Sequence, residues 1–166
     1  TPGWTAEGDQ AEIAPGAAFG FSVSTAGDVN GDGYSDVIVG APYFENGAEN
    51  EGMAAIYYGS ATGLATTRGW TNEGNQDNGH LGWVVCAAGD VNGDGFSDVC
   101  GGSPENDKFL PALVDSGLWF INYGSASGPP VAHWDYFLQA EQAGARLGFA
   151  VAGVGDVNGD GFADVI

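Results

Sequence analysis

The sequence predicts an all-β chain of tandem four-stranded units, and three observations carry the prediction. A nine-residue acidic stretch occurs three times, at Asp28–Asp36, Asp90–Asp98 and Asp156–Asp164. Other landmarks keep its period: Phe19-Gly20, Leu81-Gly82 and Leu147-Gly148 recur at 62 and 66 residues, and Tyr58-Gly59-Ser60-Ala61 is answered by Tyr123-Gly124-Ser125-Ala126 at 65. Composition supplies the third: 30 of 166 residues are Gly and only 15% are charged, which fits short strands joined by tight turns.

Each unit, about 64 residues long, reads as four strands. In the first unit, Phe19–Ala26 alternates small and large residues without helix formers, and the acidic loop follows. Asp36–Gly40 is rich in Val and Ile, as a buried strand requires. A polar loop, Pro42–Glu51, leads to a third strand at Met53–Tyr58. After the turn Gly59–Thr67, the fourth strand lies near Arg68–Asn72. The second unit repeats the series at Gly82–Ala88, Asp98–Gly101, Leu118–Tyr123 and His133–Leu138. Trp4, Trp70 and Trp134 recur at 66 and 64 and are read as one strand position. Such a position packs unit on unit; an aromatic platform for a sugar ring is the alternative. Four strands per unit in tandem is the arrangement of propeller blades.

The acidic stretches place oxygen side chains at positions 1, 3, 5 and 9, with Gly at 4 and 6. That spacing suits a hard divalent cation, with calcium the first candidate. The expected ligands in the first loop are Asp28, Asn30, Asp32 and Asp36, with the backbone carbonyl of Tyr34. Their counterparts are Asp90, Asn92, Asp94, Phe96 and Asp98, then Asp156, Asn158, Asp160, Phe162 and Asp164. One ion per loop gives three Ca²⁺ in the chain. The competing reading is a metal-free Asx/Gly turn, but three carboxylates crowded into nine residues repel one another. A helical calcium module is excluded: no acidic residue stands at position 12 (Val39, Gly101), and no amphipathic helix flanks the loops.

Charge narrows the partners. Twenty-two acidic residues face three basic ones, Arg68, Lys108 and Arg146. That balance disfavours binding to nucleic acid or to an anionic membrane surface. The sequence has neither an apolar run long enough to cross a membrane nor a visible signal peptide. Cys86 and Cys100 lie in the two strands that flank the second acidic loop. They read either as a disulfide across that hairpin or as two buried thiols. His80 and His133 read as surface or turn residues, and neither they nor Ser103 or Ser116 belong to a catalytic constellation.

Phe19-Gly20, the acidic loop and Gly40-Ala41-Pro42 together resemble the FG-GAP repeat of the integrin α-subunit propeller. The second unit departs from it with Leu81 for Phe and with Gly101-Gly102-Ser103-Pro104, read as one residue added or shifted. The resemblance implies a fragment, about two and a half repeats, of a seven-bladed propeller. The units fall at about 4–69, 70–133 and 134–166, and the chain starts inside a fourth strand, Thr1–Ala6. Further blades come from the same longer chain or from other copies, since open edges invite pairing. The resemblance also implies an extracellular or cell-surface, non-catalytic module for adhesion or recognition. Calcium would brace one face, and a protein or glycan ligand would meet the other through Glu7–Ala17, Tyr43–Glu51, Asn72–His80 and Ser103–Ser116. Two other roles stay open: a lectin-type propeller with sugar pockets between blades, and an accessory propeller of a secreted hydrolase.

Overall fold

Two four-stranded antiparallel sheets and one hairpin make up the computed structural model, which describes residues 3–8, 16–107, 109, 112–131 and 133–166. The first sheet runs β1 (Ser22–Gly27), β2 (Asp36–Ala41), β3 (Met53–Tyr57), β4 (Trp70–Glu73), each strand paired with the next. The second runs β5 (Val84–Gly89), β6 (Asp98–Ser103), β7 (Leu118–Asn122), β8 (Tyr136–Gln139). The hairpin is β9 (Gly153–Gly155) with β10 (Asp164–Val165). No helix occurs among the described residues. The first strands pack side by side, β1 against β5 and β5 against β9, so the sheets stack as neighbouring propeller blades.

The main core lies between the two sheets. Ile38, Ala54, Ile56 and Trp70 of the first meet Val85, Val99, Leu118 and Phe120 of the second. The opposite face of the second sheet gathers Ala88, Cys100 and Ile121, with Val151 and Val165 of the hairpin packed against them. On that face the register sets Cys86 directly across from Cys100, and the two form a disulfide. Of the two readings left open, the bonded one holds.

Glycines set how closely the sheets approach. A Cβ on Gly40 would run into the carbonyl of Gly82, and one on Gly102 into that of Gly148. The Gly of each Gly-x-Pro element therefore meets the Phe/Leu-Gly glycine of the following unit, backbone to backbone. Gly20, Gly82 and Gly148 all have φ between 82° and 86°, in the left-handed region that L side chains avoid.

Four details correct the sequence reading. No residue is inserted before Pro104: Gly102 pairs with Val84 as Gly40 pairs with Ser22, so Gly101 simply stands in the place of Val39. It is small because the Phe120 ring fills its space. The tryptophans do not share one strand position. Trp70 pairs with Ile56, but its counterpart Ile121 pairs with Tyr136, which leaves Trp134 two residues ahead, in the place of Arg68. No strand forms over residues 3–8, since the described residues offer them no free third strand; residues 1–2 lie outside the description. Trp4 nevertheless packs edge-on against Tyr57 at 5.2 Å and donates its indole N–H to Ala65 O at 2.8 Å. Trp70 makes the equivalent bond to Pro130 O, also at 2.8 Å. His80 is 8% exposed rather than a surface residue.

Gly40→Ala is expected to destabilise the chain by about 1–3 kcal/mol, the range for overpacking. Gly3→Ala, where nothing lies within 4 Å, is expected to leave the urea midpoint unchanged.

Candidate metal loops and recognition face

The three acidic loops connect the first and second strands and so share one end of the stacked sheets. Each is entered through a left-handed glycine; Gly27 and Gly89, at φ 73° and 81°, also mark a register shift that turns the chain out of the strand. Within the first loop, Asp28 Oδ1 accepts from Asp32 N at 3.0 Å and Oδ2 from Gly33 N at 2.8 Å. Asn30 Oδ1 accepts from Asp32 N, and Asp32 Oδ1 from Tyr34 N. The second and third loops repeat these bonds at Asp90, Asn92 and Asp94 and at Asp156, Asn158 and Asp160. Side chains at positions 1, 3 and 5 thus hold the curl of the loop through its own N–H groups.

Position 9 is different. Asp36 and Asp98 are fully buried. Asp98 accepts from Val91 N within its loop and from Gly124 N beyond the third strand, both at 2.8 Å. Asp36 does the same with Val29 N and Gly59 N. The Asp98 carboxyl is raised to about 6, chiefly by burial and further by Asp94 and Asp90, against the pull of those two N–H groups. Asp36 is raised for the same reasons, burial first. In the exposed third loop, the N–H groups of Gly161, Gly159, Asp160 and Asn158 hold the Asp156 carboxyl below its usual range.

Position 7 has a use that its backbone carbonyl alone did not suggest. The Phe96 ring covers Gly31 of the preceding loop, and the Phe162 ring covers Gly93. Backbone bonds run the same way: Ser97 N donates to Asp28 O at 3.0 Å, and Ala163 N to Asp90 O at 2.8 Å. Successive loops are therefore tied together.

The donor set of each loop is oxygen only, as a hard cation requires. Every carboxylate in it keeps acceptor capacity beyond its backbone bonds. Among the described residues, however, no three Asp, Glu, His or Cys side chains close around a single point that could hold an ion.

The opposite end of the sheets carries aromatic rings and unlike loops. Phe21, Trp83 and Phe149 each follow the Phe/Leu-Gly glycine of their unit. They form a ladder across the sheets, with centroids 4.9 and 5.6 Å apart. Phe21 and Phe149 are about half exposed, at 51% and 53%. Beside the ladder, His80 packs between Tyr43 and Trp83, and its Nδ1 lies 3.0 Å from Glu105 Oε2 without hydrogen-bond alignment. Arg146 reaches the other oxygen of Glu105 at 2.7 Å. Ser103 and Ser116 are buried and donate to the carbonyls of Gly79 and Asn106. Of the loops expected at this end, residues 9–15, Lys108, Leu110 and Pro111 lie outside the described residues.

The FG-GAP repeat profile matches residues 19–57, which hold the whole of the first acidic loop and the Gly-x-Pro element. Integrin alpha-PS2 of Drosophila melanogaster is 32% identical over 163 residues, covering 90% of the chain. Human integrin alpha-7 is 33% identical over 155 residues, again 90% of the chain. The chain carries an FG-GAP repeat. It resembles the integrin α chains and spans only 11–12% of the length of these relatives. In FG-GAP terms, the two motif glycines are the two sides of one contact between blades, and the acidic loop lies at the other end of the same strands.

Asp98→Ala strands two N–H groups and is expected to cost about 2–6 kcal/mol in chelator, at 1–3 per group. Asp94→Ala, in an exposed position, is expected to cost less than about 1 kcal/mol under the same conditions. Chemical denaturation of both variants checks the contrast.

Proposed function

We propose that the chain is part of a calcium-braced, non-catalytic propeller module for recognition or adhesion at the cell surface. The observation that carries this reading is the division between the ends of the sheets. One end repeats an oxygen-lined loop three times with the same internal hydrogen bonds. The other differs from unit to unit and exposes aromatic rings. A repeated end suits a structural ion, and a varied end suits a ligand. The resemblance to integrin α chains supports the adhesive role and an extracellular location.

The ions would be held by Asp28, Asn30, Asp32, Asp36 and the Tyr34 carbonyl, and by the matching residues of the other two loops. A divalent cation there would offset the mutual repulsion of the carboxylates and the burial of the position-9 side chain. It would hold the first hairpin of each unit at a fixed curl. The protein ligand would meet the ladder of Phe21, Trp83 and Phe149 and the loops around His80 and Glu105.

Titration calorimetry is expected to count three calcium ions per chain, and chelation to lower the melting temperature by mass action. Asp94→Ala is expected to remove one ion from the count. An unchanged count, or a melting curve indifferent to chelator, contradicts the calcium assignment. Peptides selected from a display library on the chain are expected to lose binding with Trp83→Ala and keep it with Tyr34→Ala, at the calcium end. The reverse outcome contradicts the recognition face.

A further inference from the structure

A groove of about 320 Å³ opens at the rim between the first and second sheets, beyond both the metal loops and the aromatic ladder. Asn72, Glu73 and Asn75 line one wall, and Phe109, Trp134 and Phe137 the other, with the exposed His133 beside them. Trp134 is not required there by the repeat, because the first sheet has Arg68 in the same place. The two tryptophans that serve sheet packing, Trp4 and Trp70, each donate to a turn carbonyl. Trp134 Nε1 is buried and has no acceptor among the described residues. A buried donor left open in this way is satisfied when an oxygen enters the groove.

The wall behind it is aromatic. Trp134 stacks on Phe120, and the Phe109 and Phe137 rings stack on each other at 4.5 Å while remaining 46% and 39% exposed. The facing side chains are already oriented by other bonds. Asn72 Nδ2 donates to His133 O, and Asn75 Nδ2 donates to Glu73 O. Asn46 Nδ2 donates to Glu73 Oε2. That leaves the amide carbonyls and the second carboxylate oxygen as acceptors for hydroxyl groups. Flat apolar rings facing fixed acceptors match a pyranose, which has one face of C–H groups and an edge of hydroxyls. The formal charge of −19, with Glu73 in the wall, disfavours acidic sugars.

We propose that this rim groove binds a neutral pyranose residue of a glycan. Its C–H face lies against Phe109 and Phe137, and its hydroxyls reach Asn72, Glu73, Asn75 and Trp134 Nε1. The site adjoins the recognition end proposed above, sharing with it the loops that carry Asn75 and Phe109, but it is argued from the groove alone and does not rest on the protein-ligand reading.

The test is saturation-transfer NMR on the whole chain at fixed calcium, with the methyl glycosides of glucose, galactose, mannose and N-acetylglucosamine as probes. At least one is expected to bind in the millimolar range. Trp134→Ala is expected to weaken it by about tenfold or more, since polar groups shaped for hydroxyls discriminate strongly. Phe137→Ala and Asn75→Gly serve alongside it: Phe137 is partly exposed, and Asn75 has φ 53°, which Gly accepts. Loss of binding in these two, with an unchanged melting temperature, supports the site even if Trp134→Ala fails to fold. No transfer to any glycoside, transfer unaffected by the variants, or a proline-rich peptide occupying the groove in place of the sugars overturns it.

Discussion

The sheets meet backbone to backbone, Gly40 against Gly82 and Gly102 against Gly148, with no room for a Cβ. The rest of the architecture depends on it. Only residues without a Cβ allow two strands of different sheets to come so near, and that spacing lets Ile38, Ile56, Trp70 and Phe120 close into one core. It also explains why the two halves of the repeat motif are separated in sequence. They are not partners within one unit: the Gly of Gly-x-Pro serves the unit that follows. A parallel bridge beside each contact, Gly52 to Leu81 and Gly117 to Leu147, fixes the same neighbours in register.

Away from that contact, the fold divides labour among carboxylates that look alike in sequence. Asp28 and Asn30 are half-buried and Asp32 exposed, and the three shape the loop. Asp36 is buried and joins the loop to the turn after the third strand. An ion in the loop would therefore act on side chains already organised by N–H groups, and its effect would reach the Gly59 turn through Asp36. The raised carboxyls of Asp36 and Asp98 mark where negative charge is least comfortable in the chain.

Much of this was legible in the sequence because it repeats. The acidic loops, the strand order and the Gly-x-Pro element are local patterns, and β2, β3, β6 and β7 fall within two residues of the expected strands. What was not legible depends on register. Trp134 sits at the tryptophan period yet occupies the place of Arg68, because the connection before β8 is one residue longer than that before β4 and Trp134 itself stands one residue nearer Ile121. Gly101 looked like an insertion because its reason, the Phe120 ring, lies on another strand. The Phe96 and Phe162 rings were read only for their carbonyls, since nothing in one unit shows that its ring covers a glycine of the unit before. His80 reads as a turn residue, which it is at φ 56°, but its burial comes from Tyr43 and Trp83 of different units.

Trp70 of the first sheet reaches the turn before β8 of the second, and Trp4 reaches the matching turn before β4, 60 and 61 residues along the chain. At the same end of the strands, Ser97 N and Ala163 N donate back to the preceding acidic loop. A tether pulling on one sheet would thus load these cross-links together, in shear, rather than peel a single edge strand one hydrogen bond at a time. Resistance to traction would be set by the joints between sheets more than by the strength of any one sheet.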